Sequence, residues 1–229
     1  MSHEAMWSYF QNETKEVFSG VETRAKALLR IARSEHGAYT LLNIGAGNGY
    51  LEFQAQRRGF EVMSLDPDER TCARLVSAGV DARVGLIEDL PLESCSIDLV
   101  VATEVLEHLL PPTMHKGLGE ISRVLTKGGR LIGTVPYQEN LVDGLTVCPD
   151  CRKVFHRRGH EQSFTVGSLA SELARYLKVE TCKPMFFPPW SILNWKGKAG
   201  ALIRLGLSAM GAHGSSGNIL FVCRKMVQT

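Results

Sequence analysis

Glu104-x-x-Glu107-His108 sets two carboxylates and an imidazole at i, i+3 and i+4, the spacing that puts side chains on one side of a helical turn. Such a set could hold a divalent cation such as magnesium, which lowers the pKa of a hydroxyl bound to it. His108 could also act alone as a general base, because an imidazole titrates near neutral pH. The competing use of the same side chains is structural, as caps and buttresses of the turn. A second set, Cys148-x2-Cys151-x4-His156-x3-His160, gathers four zinc-type ligands within thirteen residues. Two thiolates and two imidazoles satisfy tetrahedral zinc, and the spacing approaches that of a zinc knuckle. The alternative there is a basic substrate loop, Arg152 to Arg158, with two ordinary cysteines. His160 is claimed by both sets and cannot ligate two separate ions unless the two sites merge.

A third stretch, Thr40-Leu-Leu-Asn-Ile-Gly-Ala-Gly-Asn-Gly-Tyr50, does its chemistry through the backbone. Leu41, Leu42 and Ile44 form a short apolar run, and Gly45, Gly47 and Gly49 punctuate its exit before a helix-compatible segment at Leu51. A strand, a tight turn and a helix N-terminus let backbone N–H groups approach a nucleotide-like ligand. The run Glu61-Val-Met-Ser-Leu-Asp66 reads as the next strand, ending in an acid 17 residues beyond Gly49. At that spacing a carboxylate reaches a ribose diol in nucleotide-binding βαβ units. Asp66 could instead cap the helix opened by Pro67-Asp68-Glu69, a task that Asp68 could do as well.

The elements that position these groups follow from periodicity. Residues 21–36 carry Val21, Ala25, Leu28, Leu29 and Ala32 at helical spacing and close at Gly37. A helix over 50–58, a helix from Pro67 to about Ala78 and a strand over 80–84 come next. Ser96-Ile-Asp-Leu-Val-Val-Ala102 is apolar almost throughout, as a strand buried on both faces of a parallel sheet must be. Thr103 to His108 leave its carboxyl end, where open α/β sheets bind ligands. A helix over 114–125, a strand over 130–135, a loop over 141–160, a helix over 166–177 and strands over 178–187 and 218–225 complete the pattern.

With 229 residues, 44% apolar and 22% charged, the chain suits one α/β domain. A net charge of +2 gives no case for a nucleic-acid partner. No signal-peptide pattern and no run of about 18 apolar residues is present, so the expectation is a cytoplasmic protein. Its cysteines are scattered apart from the one C-x-x-C pair, which in that setting suggests metal or redox chemistry before a disulfide.

Tyr50 stands where a dinucleotide fingerprint has its third glycine. The glycine turn instead resembles the first motif of class I S-adenosylmethionine-dependent methyltransferases of the type 11/23 kind. Val-Leu-Thr-Lys-Gly-Gly-Arg-Leu-Ile132 is similar to a later segment of that family, and the resemblance spans about residues 35–140. It implies a Rossmann-like α/β fold with a seven-stranded sheet of order 3-2-1-4-5-7-6, the seventh strand antiparallel. It also implies S-adenosylmethionine as cofactor, held by Asn43, Gly45, Ala46, Gly47, Gly49, Asp66, Pro67, Ile87, Glu88 and Thr103. Leu86 departs from the family, which commonly has an acid there for the adenine amino group, so recognition falls to the Ile87 backbone with Glu88 or Asp89 nearby.

Glu104, Glu107 and His108 also resemble the pattern of metal-using O-methyltransferases of the ubiquinone-pathway and small-RNA 3′-end types. In those a later histidine completes the site, and His160-Glu-Gln-Ser-Phe-Thr165 looks like that segment. The resemblance implies methyl transfer to oxygen of a small molecule or glycan. Alternatives are an RNA methyltransferase using a knuckle-like zinc loop, and a cofactor-binding partner of another methyltransferase without turnover of its own. Within a single domain, residues 1–20 are expected to form an aromatic lid or simply to pack on the domain. Residues 188–216, with Trp190, Trp195, Lys196, Lys198 and Arg204, suit a membrane interface or lipid-linked substrate, or else a cap over the substrate pocket or a second subunit. The oligomeric state is open.

Overall fold

The computed structural model describes residues 3–14, 18, 20–32, 39–212 and 217–226. The expected helix stop at Gly37, residues 1, 2, 15–17 and 19 of the N-terminal segment and the end of the 188–216 insertion lie outside them. In chain order the elements are α1 (His3–Asn12), α2 (Val21–Ile31), β1 (Tyr39–Ile44), α3 (Tyr50–Gln56), β2 (Phe60–Asp66), α4 (Glu69–Ser77), β3 (Asp81–Val84) and β4 (Ile97–Thr103). A 3-10 turn (Leu106–His108) leads to α5 (Pro111–Val124) and β5 (Leu125–Pro136). Then come β6 (Leu145–Val147), β7 (Val154–His156), α6 (Val166–Ala174), β8 (Lys178–Met185), α7 (Trp195–Ala209) and β9 (Asn218–Arg224).

Seven strands form one sheet in the order β3-β2-β1-β4-β5-β9-β8, with β9 antiparallel to both neighbours. Its sixth and seventh strands in the chain are β8 and β9, so this is the 3-2-1-4-5-7-6 order. The sheet buries both faces because adjacent residues of each central strand point opposite ways. Leu42, Val100, Ala102 and Leu131 pack with Met114, Leu118 and Ile121 of α5 and Leu169 and Leu173 of α6. Their chain neighbours Leu41, Leu99, Val101 and Ile132 pack with Leu28 and Leu29 of α2 and Leu51 and Ala55 of α3. An apolar run with no alternation is therefore two cores interleaved.

Elements differ from the periodic pattern at several places: the 141–160 stretch, expected as a loop, carries β6 and β7, α6 ends at 174 rather than 177, and the ends of α5 move. α5 starts at Pro111 rather than at 114, since a proline at the first helical position lacks only an N–H that would have no intrahelical partner. β5 begins at Leu125, directly after α5, so Lys127-Gly-Gly129 lies in the strand rather than ending the helix.

One buried group makes stability pH-dependent. Glu52 of α3 is 0% exposed, and its carboxylate accepts from Asn43 Nδ2 at 2.7 Å and Ser64 Oγ at 2.8 Å. Burial pushes its pKa up, against the pull of those two donors. The folded state thus holds this proton more tightly than the unfolded chain, so stability is greatest in acid and falls as pH rises through the folded value. Glu52→Gln keeps an acceptor oxygen without the charge. It is expected to raise the thermal midpoint above that of the parent at pH 8, with the gain vanishing near pH 4. An unchanged difference at both pH values would count against an ionising Glu52.

Candidate functional site

The turn after β1 is built for backbone approach. Gly45, Gly47 and Gly49 all have positive φ, at 82°, 53° and 85°. Gly49 caps α3 from the left-handed region, and a Cβ there would lie 2.6 Å from Leu75 Cδ2 and 3.2 Å from Phe53 Cε2. Gly49→Ala combines backbone strain with overpacking and is expected to cost about 2–4 kcal/mol, read as a lower midpoint in urea. Arg74 of α4 holds the loop from outside, donating to the carbonyls of Gly47 at 2.9 Å and Asn48 at 3.3 Å.

Asp66 closes the inner side of this turn. It is 2% exposed; its Oδ2 accepts from Ala46 N at 2.8 Å and from Gln11 Nε2 of α1 at 3.1 Å, and its Oδ1 from Asp68 N at 2.9 Å. Burial raises its pKa while those three donors lower it. The cap of α4 is Asp68, which accepts from Thr71 N at 2.7 Å. Asp66 is therefore left facing the ligand side of the sheet.

A cavity of about 650 Å³ opens over the carboxyl ends of β1, β2 and β4, a volume that suits a nucleotide-sized ligand. Asn43, Gly45, Ala46, Gly47, Asp66, Pro67, Ile87, Glu88 and Thr103 all line it. Gly49 does not, because its role is to cap α3 behind the loop. Leu86 lines the wall and Asp89 does not; instead they bridge to each other and fix the turn that presents Ile87. Trp7, Gln11 and Phe18 line the cavity from the N-terminal segment. None of the described residues of the 188–216 insertion does. That connection leaves β8, the edge strand three places from β4, and its Pro189 lies close to Gly20, the neighbour of cavity-lining Val21.

The expected Glu104/Glu107/His108 set is rearranged. Glu104 has φ 55° and so breaks the helical turn before Leu106. Its Oε1 accepts from Thr134 Oγ1 at 2.8 Å and Asn218 Nδ2 at 2.9 Å, and its Oε2 faces Arg24 at 3.5 Å. It ties the ends of β4, β5 and β9 together at the cavity wall. Glu107 turns inward: it is 1% exposed and neither carboxylate oxygen has a hydrogen-bond partner. Desolvation, followed by the nearby Glu104 charge, holds its pKa well above the ordinary glutamate value.

His160, from the connection that follows β5, joins Glu107 and His108, and the ligand-type atoms of the three lie within 4.8 Å of one another. Glu161 N and Gln162 N donate to the Glu107 carbonyl at 2.8 and 3.1 Å, which fixes the approach. The tautomers follow from the partners. His108 Nδ1 is 3.0 Å from the Gly159 carbonyl, an acceptor only, so Nδ1 carries the proton and Nε2 is the basic nitrogen. His160 Nδ1 bonds Glu139, which leaves Nε2 as its basic nitrogen in the same way. His108 also meets the rings of Trp7 and His160 edge-on, at 5.0 and 4.8 Å between centroids.

The four-ligand Cys/His zinc set is not brought together. The register Leu145↔His156 and Val147↔Val154 makes 145–156 a hairpin with Cys148 and Cys151 at its outer end and His156 at its base. Among the described residues the groups close enough to hold an ion are Glu107/His108/His160 and Glu139/His156/His160, without a cysteine. His156 Nδ1 accepts the N–H of His160 at 3.0 Å, so its proton sits on Nε2, 3.9 Å from Glu139 Oε1. That nitrogen is buried with no hydrogen-bond partner and burial lowers the pKa of the ring, while a metal on Nε2 would demand an imidazolate. Glu139 and Gln11 were missed in the sequence, where no motif surrounds them; the only signal for Glu139 was its place just past the carboxyl end of β5.

Residues 42–133 match the family model described as a methyltransferase domain. An uncharacterized methyltransferase of Mycobacterium bovis is 32% identical over 96 residues, 41% of this chain and 38% of that one. A ubiquinone biosynthesis O-methyltransferase of Xanthomonas oryzae is 36% identical over 107 residues, 44% of each chain. The chain thus spans less than half the length of these curated relatives. Among solved structures, an S-adenosylmethionine-dependent methyltransferase from Mesorhizobium loti superposes with a TM-score of 0.62 at 19% identity, over 88% of this chain and 97% of that one. Burkholderia thailandensis 1,6-didemethyltoxoflavin-N1-methyltransferase superposes with a TM-score of 0.67 at 16% identity, over 98% and 87%. With the glycine turn, the acid-ended β2 and the seven-stranded order in place, residues 42–133 match a methyltransferase domain, and the chain carries the fold of the S-adenosylmethionine-dependent methyltransferases it superposes on.

Proposed function

We propose that this protein transfers the methyl group of S-adenosylmethionine to a hydroxyl oxygen of a small molecule or glycan. The observation that carries this is the buried, unpartnered Glu107 carboxylate beside His108 and His160, at the edge of the glycine-lined cavity. In an in-line displacement the acceptor oxygen forms a bond to the methyl carbon as the carbon–sulfur bond breaks and its electrons return to sulfur. The hydroxyl proton must leave, and oxygen acceptors need this more than amines do because a neutral hydroxyl is a weak nucleophile.

His108, which lines the cavity with a basic Nε2, receives that proton, and Glu107 beside it stabilises the imidazolium. The Gly159 carbonyl holds the ring in this tautomer throughout. The same three groups fit a divalent cation: two neutral imidazoles and a carboxylate with no other partner suit an ion that prefers mixed nitrogen and oxygen ligands. Bound there, such an ion would lower the pKa of the acceptor hydroxyl. Glu104 would stand outside that set, occupied by Thr134, Asn218 and Arg24. Gln11 of α1 occupies Asp66 at the place assigned to the cofactor ribose, so α1 acts as a lid that exchanges this bond when cofactor enters.

An acceptor screen with methyl-labelled cofactor, run with and without a strong chelator, tests both levels. Label in an oxygen-linked methyl group is the expected result, and loss of turnover on chelation with rescue by added cation assigns the ion to the mechanism. Label found only on nitrogen would overturn the oxygen assignment; turnover indifferent to chelator would leave His108 as the base without an ion.

A further inference from the structure

α7 has a face that none of the described residues covers, and we propose that it docks on an anionic membrane surface. Of its described side chains only Ala201 is buried, at 5% exposure. The helix is fixed from that side, with the Arg204 guanidinium 4.1 Å from the centre of the Phe186 ring and Gly197 close against Leu193. At 100° per residue, Trp195, Ala199, Leu202, Gly206 and Met210 fall in one stripe on the opposite side, with Ile203 at its margin. Trp195 is 75%, Leu202 62%, Ile203 67% and Met210 77% exposed. Four large apolar side chains so exposed on one helix form a contiguous patch that water disfavours.

What covers the patch is decided by the charges around it. Lys196 flanks the stripe on one edge and Lys198 on the other, and Lys196 Nζ lies 5.6 Å from the Trp195 ring centre, where the tryptophan and the ammonium occupy adjacent depths. No acidic residue occurs after Glu180, whereas Lys183, Lys196, Lys198, Arg204, Arg224 and Lys225 are all basic. A second copy meeting this face about a twofold axis would bring one lysine-flanked helix against another, and α7 itself carries no carboxylate to pair with those lysines. A lipid surface carrying anionic headgroups supplies the opposite charge at the helix edges and an apolar interior for the stripe. No helix among the described residues is long and apolar enough to cross a membrane, so the contact is peripheral. The stripe lies outside the cavity and the proposal does not depend on the reaction assigned to it.

Flotation of the full chain with vesicles tests this. Binding is expected to vesicles of phosphatidylcholine with 30% phosphatidylglycerol, to fall strongly in 0.5 M salt, and to be weak on phosphatidylcholine alone. The double change Lys196→Glu, Lys198→Glu should lower partitioning by at least about 25-fold, from roughly five-fold for each basic residue near an anionic surface. Leu202→Asp should abolish it, and both variants should keep the parent's thermal midpoint because none of the three side chains is buried. Absence of binding to the anionic vesicles at low salt overturns the proposal. So does a dimer in sedimentation equilibrium that Leu202→Asp splits, since the face then belongs to a second copy.

Discussion

Glu107→Gln is expected to bind S-adenosylmethionine as tightly as the parent and to lose turnover by about 10²–10⁴-fold, the usual contribution of a positioned proton-transfer group. Glutamine matches the shape of the side chain but can neither stabilise an imidazolium at His108 nor ligate a cation as a carboxylate does. The residue is 1% exposed, neither oxygen is hydrogen-bonded and burial already raises its pKa, so glutamine takes away no donor contact and the variant should be about as stable as the parent. That combination, folded and cofactor-bound but inactive, separates a working carboxylate from a structural one. A structural carboxylate would have had donors to lose. The measurement is a cofactor titration by calorimetry beside a single-turnover assay with the acceptor found in the screen. Parent-like turnover in Glu107→Gln would remove the Glu107/His108/His160 centre from the chemistry, whatever the acceptor.

Asp66→Asn should show the converse, a folded protein in which cofactor affinity falls by about 10–100-fold with little effect on turnover at saturating cofactor. The change converts charge-assisted hydrogen bonds into neutral ones, a loss of about 1.4–2.7 kcal/mol for the set. Asparagine retains one acceptor oxygen for the Ala46 N–H at the glycine turn, whereas alanine would strand the buried donors of Ala46 and Gln11 and lower stability as well. Isothermal titration with S-adenosylhomocysteine measures the change directly. Unaltered affinity would mean that the ribose is held elsewhere and that Asp66 serves only the turn and α1.

The sheet was legible in the chain because its signals are local. Apolar runs at Leu41 to Ile44 and Ile97 to Ala102, glycines at the first strand's exit and an acid at the second strand's end each act within a few residues. The order of those strands in the sheet came from the resemblance and not from these local signals, and the sheet has that order. The cavity wall followed for the same reason, since nine of the ten residues expected at the cofactor line it. Gly49 was the exception, because a glycine that caps α3 and one that faces a ligand look alike in sequence and differ only in what stands behind the Cα.

The catalytic candidates were legible as residue types and not as a constellation. Even spacing from Glu104 to His108 suggested one helical face, but a left-handed residue at Glu104 turns that side chain toward Thr134 and Asn218. The cysteines and histidines of 148–160 are close in sequence, yet the hairpin register separates the cysteine end from the histidine end.

By itself, then, the sequence located the central strands, the helices between them and the glycine turn, since each depends on contacts between near neighbours and on a periodicity that backbone geometry imposes. Only the tertiary structure decided which acid stands unpartnered, that Glu139 orients His160, and that α7 leaves a lysine-edged apolar stripe facing outward. Those facts depend on what lies across a gap of tens of residues, where partners, burial and the direction of a side chain are set by packing rather than by the chain's own spacing.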